Sequence, residues 1–130
     1  MTKSAEDYIE AIQVLIETKG RARVRDVAAQ LKVKMPSVVK AISELKKLAL
    51  VAQEPYGDIA LTEQGRQCAV RVLQRHRALR AFLEKLGVSV ATADRDACLM
   101  EHILSAETMA CIHDFLAGHG PAHPPKQERS

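Results

Sequence analysis

The stretch that decides the fold is residues 21–61, RARVRDVAAQLKVKMPSVVKAISELKKLALVAQEPYGDIAL. Residues 22–24 read as a short extended piece. A helix is then predicted over about 25–31, with Val27, Ala28 and Leu31 facing inward. Pro36 stands where the first turn of a helix tolerates proline. The helix it opens is expected to carry Val38, Val39, Ile42, Leu45 and Leu48 to the core, leaving Ser37, Lys40, Ser43, Lys46 and Lys47 on the other face. Leu50-Val51-Ala52 and Ile59-Ala60-Leu61 flank Pro55-Tyr56-Gly57-Asp58, the pattern of a hairpin with a turn-rich tip.

Upstream, Ser4 with Asp7 three positions on reads as a capping box opening a first helix. Ile9, Ile12, Leu15 and Ile16 follow at helical spacing, and Lys19-Gly20 stops it. Three helices followed by a hairpin is the order of a winged helix-turn-helix, with the third helix as the groove reader and the hairpin as the wing. A small α+β scaffold with no DNA role has the same outline. Charge favours DNA: from Lys19 to Lys47 basic residues outnumber acidic ones nine to two, within a chain whose net charge is only +3. Ser37, Lys40 and Ser43 are candidates for base contacts, Lys34 and Lys46 for phosphate, and Tyr56 for backbone from the wing.

Downstream, Thr62 is expected to cap a long helix to about residue 86, striped by Ala69, Val72, Leu73, Leu79, Leu83 and Leu86 and ended by Gly87. A fifth helix is predicted over about 92–104, and Ser105 caps a sixth reaching about 117. Leu99, Met100, Ile103, Met109, Ile112, Phe115 and Leu116 give these short helices more apolar surface than they can bury between themselves, so a dimer is expected. The fold class is therefore mainly α: a winged helix-turn-helix domain at 1–63, a helical dimerisation domain at 64–117, and a disordered Pro/Gly-rich tail at 118–130. With 47% apolar residues, 3% aromatics and no Trp, the core is built from aliphatic side chains. No apolar run approaches the ~20 residues of a membrane span and no signal pattern opens the chain, so a cytoplasmic protein is expected.

Three cysteines without CxxC spacing argue against a disulfide framework. Cys98, Glu101 and His102, at i, i+3 and i+4, fall within one ~100° sector of a helix. Thiolate, carboxylate and imidazole together suit a transition-metal ion. A buried Cys beside a surface Glu-His pair is the plainer alternative. His76 lies on the apolar stripe of the long helix, as a core histidine or a ligand. Asp7 and Glu10 share a face of the first helix, where acids are also favoured by the macrodipole and by capping.

Together these residues resemble a known family. Ser-Ala-Glu-Asp-Tyr-Ile-Glu at 4–10, Ala-Arg-Val-Arg-Asp-Val-Ala at 22–28, Pro-Ser-Val-Val-Lys at 36–40, Leu-Thr-Glu-Gln-Gly at 61–65, Arg-His at 75–76 and Glu-His-Ile-Leu-Ser at 101–105 are similar to the metal-dependent repressors of the diphtheria-toxin-repressor type, and to their short manganese-regulator branch in particular. The resemblance implies that Asp7, Glu10, His76, Cys98, Glu101 and His102 bind a regulatory divalent metal. It also implies a homodimer on a pseudo-palindromic operator in double-stranded DNA, repressing metal-uptake genes. The manganese branch usually has Glu where Cys98 stands and the iron branch has Cys; the iron branch also carries an SH3-like third domain, which a chain of this length is not expected to hold. A thiolate is softer than a carboxylate, so Fe²⁺ is expected over Mn²⁺, with Zn²⁺ or Co²⁺ able to bind in vitro. Two rival functions stand beside a repressor: a thiol-based redox regulator using Cys98 or Cys68, and a small metalloenzyme, for which no nucleophile or cofactor loop accompanies the ligands.

Overall fold

The structure, a computed structural model, describes residues 2–118. The elements run α1 (Lys3–Lys19), α2 (Val24–Leu31), α3 (Met35–Lys47), β1 (Val51–Gln53), β2 (Ile59–Leu61), α4 (Glu63–Lys85), α5 (Val90–Met100) and α6 (Ala106–Leu116). They form two compact units, Met1–Leu73 and Gln74–Ser130, and the division falls within α4. Among the described residues no helix is long and apolar enough to cross a membrane. The tail expected at 118–130 lies, apart from Gly118, outside the described residues.

The N-terminal unit closes on itself. Helix α1 turns Tyr8, Ile9, Ala11, Ile12 and Leu15 inward, the i, i+3, i+4, i+7 spacing of a buried stripe. Val27 and Ala28 of α2 and Val38, Ile42 and Leu45 of α3 complete the core with Leu50, Val51 and Ile59 of the wing. Strands β1 and β2 pair antiparallel, Val51 with Leu61 and Gln53 with Ile59. The extended piece expected at 22–24 shrinks to one bridge, in which Ile59 N–H donates to the Ala22 carbonyl at 2.8 Å. Val24 already begins α2.

Three expectations in this unit are corrected. Thr2, not Ser4, caps α1: its hydroxyl accepts from Ala5 N–H at 3.1 Å, and Asp7 instead pairs with Lys3 Nζ at 2.8 Å. Val39 and Leu48 are more than half exposed. At 100° per residue they fall outside the arc held by Val38, Ile42 and Leu45. The joint to α4 does form as expected, for Thr62 Oγ accepts from Gly65 N–H at 3.1 Å and donates to the Ala49 carbonyl at 2.6 Å. Gly65 is required there, because a Cβ on it would stand 1.9 Å from the Leu50 carbonyl oxygen.

The C-terminal unit is thinner. Its core is Ala78, Leu79, Ala97, Met109 and Ile112, with Phe82, Met100, Leu104 and Leu116 partly buried against them. Phe82 and Phe115 meet edge to face at 5.7 Å. Gly87, at φ +101°, turns the chain out of α4, and Ser89 and Ser105 cap α5 and α6 by accepting from Thr92 and Thr108 N–H. Leu86 is exposed rather than on the buried stripe. Helix α5 also starts and stops earlier than the 92–104 expected: it ends at Met100, and Glu101-His102-Ile103 form a turn.

Candidate metal centre

Because α5 stops at Met100, Glu101 is its C-cap residue and His102 lies just beyond, so the expected single helical sector is replaced by a helix end. The Glu101 backbone keeps helical angles (φ −59°, ψ −21°). Arg75 Nη1 holds its carbonyl at 3.2 Å, which leaves the carboxylate to other partners. That carboxylate is fully buried, the one buried charged side chain among the described residues.

Two imidazoles flank it. His76 Nδ1, from α4, lies 2.9 Å from Glu101 Oε2. His102 Nε2 lies 3.3 Å from Oε1. Oε1 itself has no hydrogen-bond partner among the described residues, since the His102 contact lacks hydrogen-bond geometry. A buried carboxylate with an unsatisfied oxygen is costly unless a cation completes it. The Glu101 carboxylate and the His76 imidazole, 2.9 Å apart, are donor types that suit a first-row divalent metal, so these residues fit such an ion.

The other expected ligands are placed as follows. Cys98 is half-buried on α5, one turn before Glu101, and Asp7 and Glu10 are half-buried on α1 in the N-terminal unit. The C-terminal unit thus brings together His76, Glu101 and His102. A residue missed by sequence reasoning stands beside them: Asp94 Oδ1 lies 2.8 Å from His76 Nε2. The signal for it was present, because Asp94 precedes Cys98 by four residues and shares its helical face.

All six candidate DNA contacts are in the N-terminal unit and exposed. Ser37, Lys40 and Ser43 spread over an arc of about 120° centred near the point opposite the core, with Lys34 and Lys46 flanking it. Tyr56, at the tip of the wing, is fully exposed and has φ +59°. Beside it, Arg21 donates to Asp58 Oδ1 at 2.6 Å. The Arg21 hydrogen bond holds the Asp58 carboxyl below the usual carboxylate range, and Asp58 raises Arg21 in turn.

Two profiles of one family together match most of the chain. The profile for the iron dependent repressor N-terminal DNA binding domain matches residues 1–59, and that for the iron dependent repressor metal binding and dimerisation domain matches residues 62–127. The chain belongs to the iron-dependent repressor family. It is a metal-dependent transcriptional repressor of the DtxR/MntR type, a DNA-binding protein that forms homodimers and takes a divalent metal.

Among relatives of this repressor, the HTH-type transcriptional regulator MntR of Geobacillus kaustophilus is 42% identical over 115 residues, covering 88% of this chain and 82% of the relative. The crystal structure of T. acidophilum IdeR superposes with a TM-score of 0.78 at 28% identity, over 93% of this chain and 63% of that one. A manganese-dependent transcriptional repressor in complex with manganese gives 0.79 at 29%, over 88% and 52%. The repressor thus spans between about half and two thirds of the length of these two solved chains.

Proposed function

We propose that Asp7, Glu10, His76, Cys98, Glu101 and His102 are the ligands of the regulatory metal. The buried Glu101 carboxylate, near two imidazoles and with one oxygen that has no hydrogen-bond partner among the described residues, carries this reading. The ligands come from both domains in sequence, so metal occupancy and DNA affinity are linked, with a coupling of about 1–3 kcal/mol. When bound, the ion supplies the positive charge that the buried carboxylate needs. Ser37, Lys40 and Ser43 then read bases in a major groove, Lys34 and Lys46 hold phosphate, and Tyr56 touches backbone from the wing. A two-fold dimer implies a pseudo-palindromic operator. The regulated genes are those of metal uptake, and the setting is cytoplasmic.

For the ion, the expectation of Fe²⁺ over Mn²⁺ rests on Cys98 alone, and the relatives lend it no support: one is named MntR, and a solved neighbour is a manganese-dependent repressor holding manganese. We therefore propose Mn²⁺ as effector, with Cys98 making Fe²⁺ a closer competitor than a sixth oxygen or nitrogen ligand would. Zn²⁺ and Co²⁺ bind in vitro by the general affinity order.

The test is a gel shift on a native promoter fragment with and without chelator. Chelation is expected to weaken specific binding roughly ten-fold or more, the effect of ~1.4 kcal/mol of coupling. Equal affinity in both conditions defeats the reading. Anaerobic titration with Mn²⁺ and Fe²⁺ then decides the ion, and Cys98→Glu is expected to widen the preference for Mn²⁺. Activation of the wild type by Fe²⁺ alone overturns the choice of manganese.

A further inference from the structure

His76 lies between two carboxylates that differ in every respect that matters to a metal. On one side Nδ1 faces Glu101, whose side chain has no exposure and whose Oε1 has no hydrogen-bond partner among the described residues. On the other, Nε2 faces Asp94, whose side chain is 55% exposed and stands 3.8 Å from Arg80 Nη1. The charge of Asp94 is already shared with a guanidinium and with water. It is a good hydrogen-bond acceptor and a poor competitor for an ion.

A neutral imidazole has one N–H and one lone pair. The nitrogen that ligates must offer the lone pair, and the other must find an acceptor for its hydrogen. We infer that Asp94 is a positioning residue of the metal centre: it accepts the Nε2–H of His76 and so commits Nδ1, the nitrogen facing Glu101, to the ion. Its place on α5 supports this, since Asp94, Cys98 and Glu101 stand at i, i+4 and i+7 along one stripe. One edge of α5 thereby supplies the acceptor behind the histidine as well as the candidate ligands around it. The inference rests on the reading of His76 and Glu101 as ligands.

The test uses the whole chain with nitrogen-labelled histidine rings. Cadmium-loaded wild type is expected to show metal–nitrogen coupling at His76 Nδ1, with a proton on Nε2. Asp94→Ala is expected to weaken Mn²⁺ binding, measured by competition with a fluorescent chelator, by about 10- to 100-fold. Its coupling should no longer be confined to Nδ1. Asp94→Asn keeps an oxygen acceptor, so it is expected to recover most of the affinity and the Nδ1 coupling. It also carries the test should the alanine variant fail to fold. Coupling through Nε2 in the wild type, or unchanged affinity in a folded Asp94→Ala, overturns the inference. His76→Ala separates the two levels: if it leaves Mn²⁺ affinity intact, the ligand reading itself fails; if it weakens binding while Asp94→Ala does not, only the role of Asp94 fails.

Discussion

The two units spend their apolar residues differently. The N-terminal unit buries Ile9, Ile12, Ile42, Leu45 and Ile59 almost completely and encloses no charged side chain among its described residues. The C-terminal unit has a smaller core, two of whose five buried members are alanines, and it encloses a carboxylate. It also leaves Leu86, Val90, Leu99, Ile103 and Phe115 exposed. One unit is satisfied by its own side chains; the other asks for a cation and for a second surface. Fixed DNA-reading geometry belongs with the first kind of core, and ligand-dependent order with the second.

The contrast can be broken most severely at Gly65. Replacing an exposed helical glycine by alanine ordinarily stabilises by about 1 kcal/mol. Here the added methyl meets the Leu50 carbonyl, which the wing cannot withdraw, so Gly65→Ala is expected to cost about 3 kcal/mol or more in thermal unfolding. A stabilised variant would show that the wing joint is loose. The exposed surface of the other unit is next. Leu99→Glu or Ile103→Glu should leave the chain folded, within about 0.5 kcal/mol, and monomeric by sedimentation at micromolar concentration. Ile112→Glu is expected to unfold the unit instead, because Ile112 is buried in its core. Dimeric Ile103→Glu would place the interface elsewhere.

Metal should act unevenly. Adding Mn²⁺ at about 100 times its dissociation constant contributes about 2.7 kcal/mol to whatever opening releases the ion. Hydrogen exchange is therefore expected to slow around 98–104, while the amides of Val38 to Leu45 stay as they were. Uniform slowing across both units would dissolve the distinction. The smallest effect is at the wing. Asp58 titrates below its ordinary range because Arg21 donates to it. A depressed carboxyl contributes stability above its unfolded value of about 3.9 and loses it as pH falls through the folded one. Arg21→Gln should move the Asp58 titration, followed by NMR, upward toward that value. The wild-type advantage over Asp58→Asn should vanish in acid.

Much of the fold was legible because periodicity and turn chemistry agree along most of 8–61: the buried stripe of α1, Val38, Ile42 and Leu45 of α3, Pro36 in its first turn and the hairpin all stand where the sequence pattern put them. The errors came where tertiary context overrode a local pattern. Ser4-x-x-Asp7 has the form of a capping box, but Thr2 offers a hydroxyl two residues earlier and takes the helix start. Val39 and Leu48 are apolar without being core, since an α-helix packed on one side has room for only a ~100° stripe. Of the candidate site, the grouping of Cys98, Glu101 and His102 could be read from spacing, whereas His76 joined it only with the family resemblance. The early end of α5 could not be read so, and although the spacing of Asp94 to Cys98 marked that residue, its pairing with His76 depends on how α4 and α5 pack.

Tyr56 gives the wing a further property. A side chain other than glycine at positive φ costs of order 1 kcal/mol, and here Gly57, which would accept that angle freely, stands next to it rather than in its place. The fully exposed ring returns no packing energy to the chain. Selection for thermal stability alone would therefore drift this position toward glycine or asparagine. A library screened only for heat resistance would be expected to discard the tyrosine, while one screened for operator occupancy would keep it.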